Sequence, residues 1–263
     1  MDIIITNLAK AEQFTLLFQH IRLFSDHVNI TFDKEKMYMQ SMDSARVSVF
    51  ELTLPSTWFD EYNHTSSTPI TIGLSSSLLF KILNTREKIQ ETNIKFKNED
   101  DDKLFIHFTC NNGAVFNKQF ELPLIEIECE LMQIPNTDSN AEFSINSTTY
   151  ANLINQLKIF GDTIEIQCSE EKIVLYSISI ETGKMLVDIN IEDLTEYSIN
   201  EGEIIKLSFS LNMLHNICMY NKISKEIEIF LTKDYPMKVV YPLGEDNANF
   251  TFYLAPKISD DDD

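Results

Sequence analysis

The sequence is short of the residues that carry most chemistry. Its six glycines (Gly73, Gly113, Gly161, Gly183, Gly202 and Gly244) all stand isolated, so no glycine-rich loop is available to cradle a phosphate. Its four cysteines (Cys110, Cys129, Cys168 and Cys218) lie far apart in no metal-like spacing, and a reduced, structural role is expected of them. The five histidines are scattered, and neither a nucleophile elbow nor a zinc-protease motif occurs. An enzyme is therefore poorly supported, with no catalytic residue, metal or cofactor expected. One acidic run, Glu99-Asp100-Asp101-Asp102, could hold a divalent ion in a phosphate-handling enzyme, although a solvated loop tip is the commoner meaning of such a run. The chain lacks a charged start followed by an apolar segment, and it has no apolar run near the ~18 residues of a membrane span; a soluble, non-exported protein is expected.

Basic residues are scarce as well. There are 21 against 41 acids, a net charge of −20, and phosphate repels a surface of that sign. With 43% hydrophobic and 11% aromatic residues, the chain can still bury a proper core.

What the sequence does contain is a repeat. "FSDHVNITFDKEKMYMQS" (24–41) aligns without a gap on "FGDTIEIQCSEEKIVLYS" (160–177), matching Phe24 with Phe160, Asp26 with Asp162, Ile30 with Ile166 and Ser41 with Ser177. An amphipathic helix pattern precedes each: Phe14, Leu17, Phe18, Ile21 and Phe24, then Tyr150, Leu153, Ile154, Leu157 and Phe160. A second pair, 77–96 and 212–231, shares the order helix, turn, strand. We therefore expect an α+β fold of two similar domains, each with two helices packed on antiparallel strands. The expected division is 1–124, a connector over 125–140, 141–258, and an acidic tail 259–263. The acid–apolar alternation at Glu126, Glu128 and Glu130 would also suit an edge strand, but its place between the repeats favours a connector.

Strand signals surround one polar interruption. Met37 and Met39, then Phe50, Leu52 and Leu54, alternate with polar residues, whereas Ser41-Met42-Asp43-Ser44 between them is turn-like without a glycine. The segments 114–121 and 184–190 are expected to pair edge to edge between subunits, since closure removes exposed sheet edges.

The four helical windows 9–24, 75–86, 148–160 and 210–222 carry one acid, Glu12, and six bases: Lys10, Arg22, Lys81, Arg86, Lys158 and Lys222. Their net charge is +5 and that of the remainder is −25. Short Asn- and Ser-rich helices could lack acids by chance. The sharper reading is that all four face one polyanion, through its backbone and without sequence preference.

The text "MQSMDS" at 39–44, "VSVFELTL" at 47–54, "FDEY" at 59–62, "LMQIP" at 131–135, "GDTIEIQC" at 161–168 and "YLAPKI" at 253–258 together resemble the proliferating cell nuclear antigen family of DNA sliding clamps. The resemblance implies the DNA-clamp fold and a homotrimeric ring that encircles duplex DNA without reading it. Such a ring is no enzyme: an ATP-driven loader places it on DNA, and it tethers DNA polymerase and other replication and repair proteins as a processivity factor. It also implies a nuclear location, or a viral replication site, because the Ile- and Asn-rich composition points to an AT-rich genome and a viral or protist source. By the same resemblance, Phe120, Leu157 and Phe160 fall at the subunit interface. Met42, Arg46, Val47, Val49, Met132, Ile134, Pro236, Tyr253, Ala255 and Pro256 fall around a pocket for peptides of the Q-x-x-apolar-x-x-aromatic-aromatic type. Met42 would give that pocket a flexible, polarizable wall suited to many partners. The sequence departs from the family at Asn152, Asn155 and Met219, where bases are usual on the helices, which implies either weaker DNA affinity or contact borne by Arg86, Lys88 and Lys225 instead. It also has Glu170 where the family carries a modified lysine, with Lys172 close by, and Arg46 in place of a histidine. The alternative is a divergent clamp in transcription or checkpoint signalling, acting as a monomer or hetero-trimer.

Overall fold

The structure is a computed structural model, and it describes residues 1–97, 102–110, 113, 115–128, 130–135, 137–244 and 247–257. Most of the acidic run at 99–102 and the acidic tail lie outside the described residues. The chain forms two compact units: Met1–Ser44, Glu51–Met132 and Leu243–Asn249 make the first, and Ala45–Phe50, Gln133–Pro242 and Phe250–Asp263 the second. A plain division at the connector does not anticipate this exchange of short segments.

In the first half of the chain the described elements run β1 (Asp2–Ile5), α1 (Leu8–Gln19), β2 (His27–Phe32), β3 (Lys36–Met42), β4 (Ser48–Pro55), β5 (Glu61–Asn63), β6 (Ile70–Ser75), α2 (Ser76–Leu83), β7 (Glu91–Lys95), β8 (Lys103–Thr109) and β9 (Lys118–Pro123). The second half repeats that order: β10 (Ala141–Asn146), α3 (Ser147–Leu157), β11 (Thr163–Cys168), β12 (Lys172–Ser179), β13 (Gly183–Asn190), β14 (Glu196–Ile199), β15 (Ile205–Ser210), α4 (Leu211–Cys218), β16 (Glu226–Leu231), β17 (Met237–Pro242) and β18 (Asn249–Leu254).

The pairing repeats too. The first unit holds an antiparallel sheet ordered β5-β1-β7-β8-β9 and a ladder β6-β2-β3; the second holds β14-β10-β16-β17 and a four-stranded sheet β13-β12-β11-β15. Period-2 burial explains these strands: Val28, Ile30 and Phe32, then Met37 and Met39, then Phe50, Leu52 and Leu54 all turn inward. β3 runs on through Met42, so the turn begins at Asp43, later than the sequence suggests. With no glycine there, Arg46 takes the left-handed conformation (φ 58°), a strained choice for a residue with a Cβ.

All four helices start on a polar side chain. Asn7 accepts from the amides of Ala9 and Lys10, Ser75 from Leu78, Asn146 from Thr149 and Ser210 from Met213. Each buries one apolar stripe: Ala11, Phe14, Leu17 and Phe18 on α1, and Tyr150, Ile154 and Leu157 on α3.

Candidate functional site

Of the six helical cations, two are already committed to the fold. The Arg86 side chain is only 2% exposed and Nη2 lies 2.6 Å from Glu12 Oε2. Its Nη1 donates to the carbonyls of Glu87 (3.2 Å), Lys88 (3.4 Å) and Gln90 (3.0 Å). Burial pushes its pKa down and the Glu12 carboxylate opposes that shift. Arg86 is therefore an internal strut and not a DNA-facing residue, because the 87–90 turn folds its carbonyls around the guanidinium. Lys10 is half-buried; Nζ donates to the Trp58 carbonyl at 2.6 Å and lies 5.5 Å from the centre of the Trp58 ring. Arg22, Lys81 and Lys222 are exposed and Lys158 is half-buried. Burial and the Lys158 ammonium hold His215 below its ordinary pKa, so it adds no positive charge at neutral pH.

Acids collect on one face of the second unit's sheet. Glu142, Glu196 and Glu228 line one groove there, and burial followed by repulsion from Glu196 raises the Glu228 pKa.

The segments expected to form subunit edges are terminal strands. β9 closes one end of its sheet and β13 one end of the four-stranded sheet. The first begins at Lys118, later than expected (Ala114 lies outside the described residues): Asn117 Oδ1 accepts from the Cys110 amide and Gln90 Nε2 donates to the Phe116 carbonyl, which commits Phe116 and Asn117 to other partners. Leu186 on β13, Ile178 on the adjacent β12 and Ile180 in the turn between them are exposed. Leu157, expected at a subunit surface, is 0% exposed within its own unit, so it is core. Phe120, its ring tilted 60° against that of Phe108 at 5.8 Å, and Phe160 are half-buried.

In the second unit, β18 continues past β17, and its other neighbour is β4. The Ala255 amide donates to the Val47 carbonyl at 2.9 Å, and Phe50 packs 5.7 Å from Phe250. β18 and β9 stand at matching places in the repeated order, as do β4 and β13.

The residues assigned to a peptide pocket divide between the units. Met42 and Met132, both half-buried, belong to the first; Arg46, Val47, Val49, Ile134, Pro236, Tyr253, Ala255 and Pro256 belong to the second. Arg46, Val47 and Pro236 are exposed and the other five are half-buried. Tyr253 lines a groove of about 320 Å³ together with Pro135, Thr137, Phe230 and Lys238. Sequence reasoning missed Phe230 and Lys238, whose alternation on β16 and β17 reads only as strand.

No regular element spans the described part of 124–140 except for its last bend. Several hydrogen bonds hold the segment to the first unit, beginning with the Leu124 amide, which donates to the Asp102 carbonyl at 2.8 Å. The Ile125 amide donates to the Gly73 carbonyl (2.8 Å), Asn29 Nδ2 donates to the Ile127 carbonyl (3.0 Å), and Gln40 holds Met132. A Cβ on Gly73 would stand 2.1 Å from the Ile125 carbonyl oxygen, so glycine alone permits this approach.

Among the described residues no group of acids, histidines and cysteines is arranged to hold a metal, and no helix is long and apolar enough to cross a membrane. Two comparisons bear on what the fold is for. The Rad9 family model matches residues 14–238. Proliferating cell nuclear antigen from Chaetomium thermophilum is 25% identical over 262 residues, 97% of this chain and 99% of that protein. Proliferating cell nuclear antigen 2 from Drosophila melanogaster is 25% identical over 224 residues, 85% and 86% of the two chains. With its doubled arrangement of antiparallel sheets and paired helices, the chain belongs to the Rad9 family and has the proliferating-cell-nuclear-antigen-like clamp fold.

Proposed function

We propose that the protein is a DNA sliding clamp: three copies close into a ring around duplex DNA, and the ring tethers DNA polymerase and other replication or repair proteins. The single observation that carries this reading is the pair of unmatched edges. Within one chain the internal repeat sets β18 beside β4, while their counterparts β9 and β13 are terminal strands. Pairing β9 of one copy with β13 of the next would repeat that junction between chains, and a closed ring would leave neither edge open. The apolar side chain of Leu186, on β13 itself and exposed in the single chain, would be flanked by the added strand.

Because its side chain is exposed in the monomer, Leu186→Lys should leave the fold intact and reduce the solution mass from three chains to one. Sedimentation of the wild type and the variant measures this; a variant that keeps the wild-type mass would place the interface elsewhere. Contact with DNA falls to Arg22, Lys81, Lys158 and Lys222, few enough that binding should be weak, salt-sensitive and independent of sequence. Processivity of a polymerase on a primed circle, with and without the clamp and its loader, tests the function directly.

Peptides of the Q-x-x-apolar-x-x-aromatic-aromatic type would dock on the connector and the groove beside Tyr253, with Ala255 and Pro256 offering backbone to the glutamine. Ile134→Ala should weaken such a peptide by about 1–3 kcal/mol and leave the oligomer unchanged, as read from titration of a labelled peptide. Equal affinity for both proteins would remove Ile134 from the site.

A clamp in transcription or checkpoint signalling is the second reading. The match to the Rad9 model and the withdrawal of Arg86 and Lys10 from the cationic surface favour it. A monomeric mass for the wild type would decide for it.

A further inference from the structure

The connector is held at Met132 in an unusual way. Gln40, on β3 and 4% exposed, uses its amide as a piece of strand: the Met132 amide donates to Gln40 Oε1 at 2.8 Å, and Gln40 Nε2 donates back to the Met132 carbonyl at 3.0 Å. A side-chain amide presents one acceptor and one donor at the spacing of a peptide group, so it can pair with both backbone groups of a single residue. Its orientation is fixed from behind. The same Nε2 donates to Glu51 Oε1 at 2.9 Å, and that oxygen also accepts from the Tyr38 hydroxyl at 2.6 Å. A flipped Gln40 amide would set its oxygen against the carboxylate, so Glu51 permits one orientation only.

The consequence is register. Beyond the latch, Leu131, Gln133 and Pro135 are exposed while Met132 and Ile134 are half-buried. The described residues 131–135 form no strand of their own, and a slip of one residue would turn Leu131 and Gln133 inward.

We infer that Gln40 is a positioning residue: by clasping Met132 it sets the phase of 131–135 and thereby selects the side chains that a docking peptide meets. This rests on the peptide reading above, but the latch has a readout of its own. Gln40→Met keeps the volume and removes the amide, and Gln40→Ala removes both. In hydrogen exchange, both variants should speed exchange at the Met132 amide at least about tenfold, while the amides of β2, β3 and β7 and the melting temperature stay at wild-type values. Titration with a Q-x-x-L-x-x-F-F peptide should show about tenfold weaker binding. Met132→Ala, which weakens the wild type, should then add little on the Gln40→Met background, the non-additivity expected of residues acting as one.

Unchanged exchange at Met132 would overturn the latch. Faster exchange with wild-type peptide affinity would overturn its role in selecting side chains. A fall in melting temperature with faster exchange in every strand would make Gln40 a stability residue and likewise overturn the inference. If the wild type binds no such peptide, the docking reading fails by itself, and exchange at Met132 still decides whether the latch holds.

Discussion

Replacing Leu157 by glutamate should unfold the second unit and not merely separate subunits. The side chain has no exposure in its own chain and shares the inner stripe of α3 with Tyr150 and Ile154, which are also fully buried. The substitution removes about 2 kcal/mol of apolar burial and buries a carboxylate in its place, without a counter-charge, at a further cost of several kcal/mol. Together they reach about 5 kcal/mol or more, comparable with the whole stability of many domains. Urea denaturation should find little folded second unit for Leu157→Glu, and a loss of about 3 kcal/mol for Leu157→Ala. A well-folded Leu157→Glu monomer would contradict its place in the core.

Arg86→Ala should be the next most damaging change, with a loss of about 3 kcal/mol in the first unit. Truncation leaves the carbonyls of Gln90 and its neighbours without their donor and removes a nearly buried side chain. Glu12→Ala should cost less, because Glu12 is half-exposed and the guanidinium keeps its three carbonyl partners. Chemical denaturation of the two variants gives the comparison. Loss of DNA affinity in Arg86→Ala at unchanged stability would return the residue to the surface.

Both cases show where sequence reading succeeds and where it stops. The heptad-like run Tyr150, Ile154, Leu157 was legible as a buried stripe from its period alone. The resemblance placed Leu157 at a subunit interface, whereas in the structure its side chain is fully buried within its own chain, as the period suggests. The doubled order of elements was legible too, because alternation survives at Val28/Ile164 and Ile30/Ile166 when little identity does. Arg86 was not legible. A cation in an acid-poor window reads as solvent-facing, and only the fold of residues 87–90 brings their carbonyls round it. The turn that buries Gln90 carries no periodic signal. Gln40 is a similar case: in a strand it counts as the polar partner in an alternation, and its real partner lies ninety-two positions away in a segment with no period at all. The left-handed Arg46 was also hidden, since a turn without glycine gives no hint of which residue will take the positive φ.

The side-chain caps at the four helix N-termini bear on how easily a polyanion would pass the proposed ring. Asn7, Ser75, Asn146 and Ser210 already occupy amides that would otherwise grip a phosphate oxygen. In the proposed ring a duplex would then meet a few long, hydrated ammonium and guanidinium groups, which would exchange one phosphate for the next as readily as they exchange counterions. A phosphate seated among helix amides would have to be pulled out before the duplex could advance; one touched only by such side chains would not. The caps that help the helices to fold would thus also keep friction low.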